Sequence, residues 1–296
     1  MKEIEIIGHR RKFLLLSGIC ILITIVVLIL NKGLNLGLDF TGGTLIQLKL
    51  YDKNIDVASL RKILSEEGYT KGVELQSIVS SGDYKEFLIK LKHAEQQDIS
   101  KKIEEIFVKK NINYEVVRIE YVGPTIGKHL TTKALYAIIF SLLGIIVYVA
   151  FRFGSSVWGV AGVIALAHDV FLTIGFLTIL GREITITVIA ALLTLAGYSI
   201  NDTIVIFDRI RENIRFMRKE QLDRIMNISI NQTLTRTLLT SGTTLIAVLS
   251  LLILGNQVIK DFALALTFGV VVGTYSSVYI ASTLVLEYIN YKNKKK

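Results

Sequence analysis

Six runs of apolar residues, at about 13–30, 134–151, 157–180, 184–207, 238–254 and 262–286, dominate the pattern along the chain. A helix of roughly 20 mostly apolar residues crosses a bilayer core. Each run therefore predicts a membrane-spanning helix, and the fold class is a polytopic α-helical membrane protein with six transmembrane helices. The first run follows His9, Arg10, Arg11 and Lys12, as a secretory signal would, but Asn31, Lys32 and Gly33 beyond it offer no small-residue cleavage site. It reads as an uncleaved signal anchor.

Between the first two runs the period changes. Alternating or β-rich stretches at 44–50, 73–79, 86–91 and 114–121 predict strands, and helical spacing at 57–67 and 95–109 predicts helices. The order is β-α-β-β-α-β. Ser81, Gly82 and Asp83 read as the hairpin between the second and third strands. This is an α+β domain with the ferredoxin-like split motif, an architecture that hosts many functions and selects none.

Basic residues set the topology. The N-terminus, the stretch with Arg209, Arg211, Arg215, Arg218, Lys219 and Arg224, and the tail with Lys292, Lys294, Lys295 and Lys296 fall on one side of an even number of spans. By the positive-inside rule that side is the cytoplasm. The chain divides into a cytoplasmic N-terminus with the first helix (1–30), an extracytoplasmic domain (31–133), five further helices with a basic cytoplasmic loop at 208–235 (134–286), and a basic cytoplasmic tail (287–296). Localisation in the cytoplasmic (inner) membrane follows.

Composition agrees: 51% of the 296 residues are hydrophobic and only 20% are charged, which excludes a soluble enzyme. The net charge of +9 sits at the ends of the apolar runs, so it reads as topology and not as nucleic-acid binding. Cys20 is the sole cysteine, so no intrachain disulfide forms, and Pro124 is the sole proline. No Pro-, Ser- or Gly-rich linker and no internal repeat is evident.

Asp202 stands inside the fourth run and Arg236 opens the fifth. A charge within a spanning helix costs at least about 2.5 to 3.5 kcal/mol on insertion scales, and such residues commonly line ion paths. Asp202 lies five residues before the cytoplasmic end of its run, or about 8 Å at helical rise. Arg236 reaches a similar depth on an antiparallel neighbour, where a salt bridge is reasonable. Thr194, Tyr198 and Asp202 give one polar stripe, and Arg236, Thr240 and Thr243 another. The pair reads either as a proton switch, in which movement of a guanidinium changes the charge state of a buried carboxyl, or as a static tie or an arginine that snorkels to the surface.

Asp169, beside His168 in the third run, is a second intramembrane carboxyl. It reads either as an extension of a proton path or as a packed polar contact to another helix or subunit. Neighbouring helical residues point about 100° apart, so the two side chains need not share a face. Gly269 and Gly273, like Gly159 and Gly162, read as close helix packing. The basic stretch 208–221, with Ile210, Ile214 and Met217 at helical spacing, reads as an interfacial helix on anionic lipid or a docking segment.

Four motifs then carry a resemblance: GLDFTGG at 37–43, VGPTIG at 122–127, YSINDTIVIFDRIREN at 198–213 and LTRTLLTSG at 234–242. In this order they resemble the SecF family, subunits of the SecDF protein-export complex within the resistance-nodulation-division superfamily. The resemblance implies a six-span subunit that pairs with SecD, associates with the SecYEG channel, YajC and YidC, and uses the proton gradient to assist late translocation of unfolded preproteins. Some relatives couple to sodium instead. It implies no cofactor and no enzymatic activity. By position, Asp202 matches the family's essential intramembrane aspartate and Arg236 its arginine partner, with Asp169 a further relay candidate and Tyr198, Thr240 and Thr243 in support. Asp39, Gly42, Gly43, Gly123 and Pro124 match structural signatures that join domain to membrane.

Two rivals stand beside this reading. An intramembrane aspartyl protease needs two carboxyls close enough to share a proton; its Gly-x-Gly-Asp motif is missing, since the aspartates here lie in Ala-His-Asp and Ile-Asn-Asp. Half of another proton-driven transporter of the same superfamily, for lipids or small molecules, would share the relay but usually carries much larger extracytoplasmic domains.

Overall fold

The computed structural model describes residues 3–52, 54–67, 72–80, 84–91, 96–154 and 156–295. A 3-10 turn (Ile7–His9) leads into α1 (Arg10–Leu30), followed by α2 (Leu38–Thr41), β1 (Gly43–Leu50), α3 (Val57–Glu66), β2 (Val73–Ser80), β3 (Lys85–Leu91), α4 (Gln96–Lys109) and β4 (Tyr114–Val122). Long helices then take over: α5 (Pro124–Phe153), α6 (Ser156–Ile179), α7 (Ile186–Phe216), α8 (Leu222–Leu254) and α9 (Gln257–Ser276), which continues through a π-helical turn (Ser277–Ala281) into α10 (Ser282–Lys294). Six of these stretches are long and apolar enough to cross a membrane: Ile7–Leu30, Pro124–Phe153, Val157–Ile179, Ile186–Phe216, Leu222–Leu254 and Ile259–Lys292. The chain separates into two compact units, Met1–Asn35 with Tyr136–Lys296, and Leu36–Leu135.

The smaller unit is a four-stranded antiparallel sheet in the order β2-β3-β1-β4. Strand periodicity places Ile46, Leu48 and Leu50 of β1 beside Phe87, Ile89 and Leu91 of β3, all buried with Leu60 and Leu64 of α3 and Ile103, Ile106 and Phe107 of α4. Helix α3 begins with a capping box in which Asp56 accepts from the Ser59 backbone N–H at 2.7 Å and the Ser59 hydroxyl accepts from the Asp56 N–H at 3.1 Å. The expected hairpin at 81–83 lies outside the described residues.

One element was not foreseen. Residues 38–41 of the first motif coil into α2, which ends at Gly42 with φ +68° and ψ 166°, followed by Gly43 with φ +126°. Those angles are closed to side-chain-bearing residues at low cost. Space is also tight at Gly42 and Gly127: a Cβ on Gly42 would stand 3.3 Å from the Pro124 Cα and the Val122 carbonyl oxygen, and one on Gly127 would stand 3.3 Å from the Gly42 nitrogen and the Phe40 oxygen. Two motifs about 80 residues apart in sequence thus pack backbone against backbone, in register with the Gly43–Val122 pair that starts β1.

In the larger unit the core joins Ala161 and Ala165 of α6, Ile200, Ile206, Phe207 and Ile210 of α7, Met226 and Ile230 of α8, and Val278, Ile280 and Ala281 of the π turn. Small residues permit the crossings, as expected for the GxxxG stretch: a Cβ on Gly269 would collide with Leu195, and one on Gly162 would stand 3.3 Å from Ile200 Cδ1.

The basic stretch at 208–235 is not a loop, nor is 208–221 a separate interfacial helix. Helix α7 runs to Phe216 and α8 starts at Leu222, so only 217–221 connect them. The apolar run underestimates both helices because the buried stripe outlasts it: Ile210 and Asn213 of α7 continue the face begun by Ile206, and Ile225, Met226 and Ser229 meet them from α8. Asn213 Nδ2 donates to Ser229 Oγ at 2.8 Å, so the helix pair stays joined where both are amphipathic.

The N-terminal segment is strapped to the same end of α8. Asn227 Oδ1 accepts from the Ile6 and Ile7 N–H groups at 2.8 and 3.2 Å, and Asn231 exchanges bonds with Ile4, donating to its carbonyl at 2.8 Å and accepting from its N–H at 2.9 Å. Arg10 then pairs with Asp223 and Glu287, each at 3.1 Å.

Candidate functional site

Two carboxyls are buried among the helices of the larger unit, with opposite surroundings. Asp169, on α6, is 0% exposed. His168 Nδ1 stands 2.9 Å from Asp169 Oδ1, and Ser199 of α7 donates to Asp169 Oδ2 at 2.5 Å. His168 Nε2 lies 3.1 Å from Ser17 Oγ of α1, which lies 2.8 Å from the Tyr275 hydroxyl of α9; that hydroxyl donates to the Phe13 carbonyl at 2.6 Å. Through His168 and Ser17 the network that starts at Asp169 reaches four helices. An imidazole between a carboxylate and a hydroxyl can take a proton on one nitrogen and release one from the other.

The sequence left open whether His168 and Asp169 share a face, and the side chains answer it: both curl into the same gap between α1, α7 and α9. Gly273 keeps that gap open, since a Cβ there would stand 3.2 Å from Ser199 Cβ and 3.6 Å from Asp169 Oδ2. The π turn begins at Ser277, directly beyond this contact. Wider turns of this kind are frequent at functional positions in helices.

Asp202 lies one turn past Ser199 on α7 and is 3% exposed. Its Oδ2 is fully buried and has no hydrogen-bond partner among the described residues. Arg236 acts on it electrostatically, yet no ion pair between them forms among the described residues. The expected salt bridge fails for a reason of phase. The inward face of α8 is Thr233, Thr237 and Ser241, at four-residue spacing and all buried, whereas Arg236 is one residue out of step and lies on the exposed face.

The residues of the supporting stripe divide between two environments. Tyr198 donates to Ser241 Oγ at 3.0 Å, and Ser241 Oγ stands 2.6 Å from Thr274 Oγ1 of α9. Thr240 and Thr243 do not join this chain. Their hydroxyls donate to carbonyls of their own helix, Arg236 for Thr240 at 2.9 Å and Leu239 for Thr243 at 3.0 Å. Thr194 likewise bonds back to the Ala190 carbonyl at 2.8 Å.

Sequence reasoning missed Ser17, Ser199, Ser241, Thr274 and Tyr275 as partners. A hydroxyl in a spanning helix satisfies itself on the preceding turn at little cost, so it does not stand out in an apolar run as a carboxylate does. The signature residues Asp39, Gly42, Gly43, Gly123 and Pro124 belong to the smaller unit, where the glycines serve backbone geometry. Among the described residues no group of three or more His, Cys, Asp or Glu side chains is placed to hold a metal ion.

Comparison with known proteins gives two family matches. Residues 102–291 match the family described as protein export membrane protein SecD/SecF, C-terminal, and residues 27–50 match the SecD/SecF GG motif. The chain is 44% identical over 290 residues to protein translocase subunit SecF of Calditerrivibrio nitroreducens, covering 96% of this chain and 93% of that one. It is 44% identical over 267 residues to protein translocase subunit SecDF of Thermus thermophilus, covering 90% of this chain and 35% of that protein. The crystal structure of the latter organism's SecDF, a translocon-associated membrane protein, superposes with a TM-score of 0.87 at 40% identity, over 97% of this chain and 39% of that longer one.

Proposed function

Because this chain belongs to the SecD/SecF family of protein-export membrane proteins, we propose that it is the ion-gradient-coupled SecF-like half of a translocase, with Asp202 as the coupling group. The observation that carries this is the state of that carboxyl. Asp202 is almost wholly buried, has an oxygen with no hydrogen-bond partner among the described residues, and lies within electrostatic reach of an arginine on the next helix. A structural carboxylate in a bilayer is expected to be fully bonded, as Asp169 is; one left unsatisfied is available to bind and release an ion.

In this reading a proton, or sodium as in some relatives, arrives at Asp202, and motion of Arg236 toward or away from it sets the affinity. The Tyr198–Ser241–Thr274 chain joins α7, α8 and α9 beside it, so a change at Asp202 alters helix packing. The Asp169 network holds α1, α6, α7 and α9 as the frame against which that motion occurs. The partner is a SecD-like half, which in Thermus thermophilus belongs to the protein named SecDF. The SecYEG channel, YajC and YidC, and the unfolded preprotein complete the assembly. We place the termini in the cytoplasm, the chain in the inner membrane, and the four-stranded domain, ferredoxin-like in its strand order, on the far side between the first two spans.

Inverted membrane vesicles carrying equal amounts of normal or Asp202→Asn complex test this. The variant is expected to assemble normally and lose the gradient-dependent part of preprotein translocation. Unchanged gradient stimulation would rule out Asp202 as the coupling group. Arg236→Met is expected to act similarly, and the double variant to lose far less than the sum, as for two residues of one switch.

A further inference from the structure

The basic end of the helices holds a site that ion coupling does not use. Between the last turns of α5 and α7 a cleft of about 570 Å³ is lined by Arg152, Asp208, Arg211, Glu212, Arg215 and Phe216. Its charges are not balanced. Arg152 Nη2 pairs with Asp208 Oδ2 at 2.5 Å, and Glu212 is engaged by Arg209 at 2.6 Å. Arg211 and Arg215 form no salt bridge with any carboxylate among the described residues. They stand four residues apart, on one face of α7 and beside its carbonyl-rich end, where cations are tolerated without a partner.

The arrangement is ordered by an aromatic ring. The Arg152 and Arg211 guanidinium carbons lie 6.0 and 5.7 Å from the centroid of Phe153, which is itself buried against Trp158 and Phe207. Guanidiniums held on a ring face keep their N–H groups free for an anion. Apolar surface adjoins the charge: Phe216, which lines the cleft, is 80% exposed. A phenylalanine so bare is unfavourable in water and natural against acyl chains, and arginines beside it at the end of a span match an anionic headgroup.

We propose that this cleft binds the phosphate of an acidic phospholipid, with Arg211 and Arg215 holding the headgroup and Phe216 lying against the glycerol and upper acyl carbons. A soluble phosphate would satisfy the arginines but leave the Phe216 ring exposed, which favours the lipid. The inference stands apart from the export reading and needs only that these helices span a bilayer.

Trp158, the one tryptophan of the chain, stacks on the ring that carries the guanidiniums, at 6.2 Å between centroids, so its fluorescence reports occupancy. The full chain in mild detergent is titrated with phosphatidylglycerol or phosphatidylcholine, and retained lipid is counted by native mass spectrometry. Phosphatidylglycerol is expected to bind and change the fluorescence, phosphatidylcholine to do neither. Arg211→Gln with Arg215→Gln is expected to weaken phosphatidylglycerol by roughly 10- to 30-fold, the scale for two basic residues at a membrane surface. Arg218→Gln with Arg224→Gln, equal in charge but outside the cleft, is expected to keep it. The single Arg215→Gln, at an exposed position, gives a smaller loss in the same direction and serves if the double variant fails to fold. Equal binding of both lipids, equal losses in the two double variants, or displacement by inorganic phosphate at comparable concentration each overturns the proposal.

Discussion

Removing the two buried carboxyls one at a time should have unequal consequences for stability, because one is bonded and the other is not. Asp169→Ala strips the Ser199 hydroxyl and His168 Nδ1 of their acceptor at a site 0% exposed. Each buried group left unpaired costs about 1 to 3 kcal/mol in a soluble interior, so the pair sums to about 2 to 6 kcal/mol. Hydrogen bonds between helices in a bilayer average nearer about 0.6 kcal/mol, since the separated helices find other partners. The short contacts and complete enclosure favour the larger scale, and we expect a loss of at least about 2 kcal/mol. Asp202→Ala removes a carboxyl with an unpartnered buried oxygen. Relief of its desolvation opposes the loss of packing, and the net change should stay within about 1 kcal/mol. Equilibrium unfolding in mixed micelles, followed by Trp158 fluorescence, measures both. Asp169→Asn keeps one acceptor oxygen and should lose less than Asp169→Ala. A loss for Asp202→Ala as large as that for Asp169→Ala, or no loss for either, would refute the contrast between a bonded and an unbonded buried carboxyl.

Three other outcomes follow from particular contacts. Gly42→Ala should lower stability by about 1 to 3 kcal/mol, the scale for a side chain forced into glycine-only backbone, since its φ is +68° and a Cβ would crowd the Pro124 and Val122 backbone at 3.3 Å; thermal unfolding reads it. Asn227→Ala removes the acceptor of the Ile6 and Ile7 amides, so hydrogen exchange at those two positions should accelerate while exchange within α7 is unchanged. In the smaller unit, the hydrogen bond from Tyr51 and then the charge of Lys49 hold the Glu115 carboxyl below the usual glutamate range. Its stabilising contribution is therefore present above that range and fades as pH falls through the lowered midpoint; Tyr51→Phe should move the midpoint upward in a carboxyl NMR titration.

Much of this protein is legible in the chain because it depends on local periods. Spans, strands and the two larger helices of the smaller unit follow from apolar repeats of 2 and 3.6 residues, and the positions of Asp202, Arg236 and Asp169 follow from the cost of charge in hydrocarbon. Where the period continued in amphipathic form, as from Ile206 through Ile210 to Asn213, apolarity alone marked the helix end too early. What the chain did not reveal is phase and partnership. Arg236 and Thr237 are neighbours in sequence, yet one is exposed and the other faces the core; a rotation of about 100° decides between an ion pair and a charge at a distance. Ser17, Ser199 and Tyr275 look like ordinary hydroxyls in apolar helices until three crossings bring them around His168 and Asp169. The sequence by itself determined that two carboxylates are buried among membrane helices; which of them is bonded and which is left free was decided only by the tertiary structure, because hydrogen bonds between helices depend on packing angles that no single helix encodes.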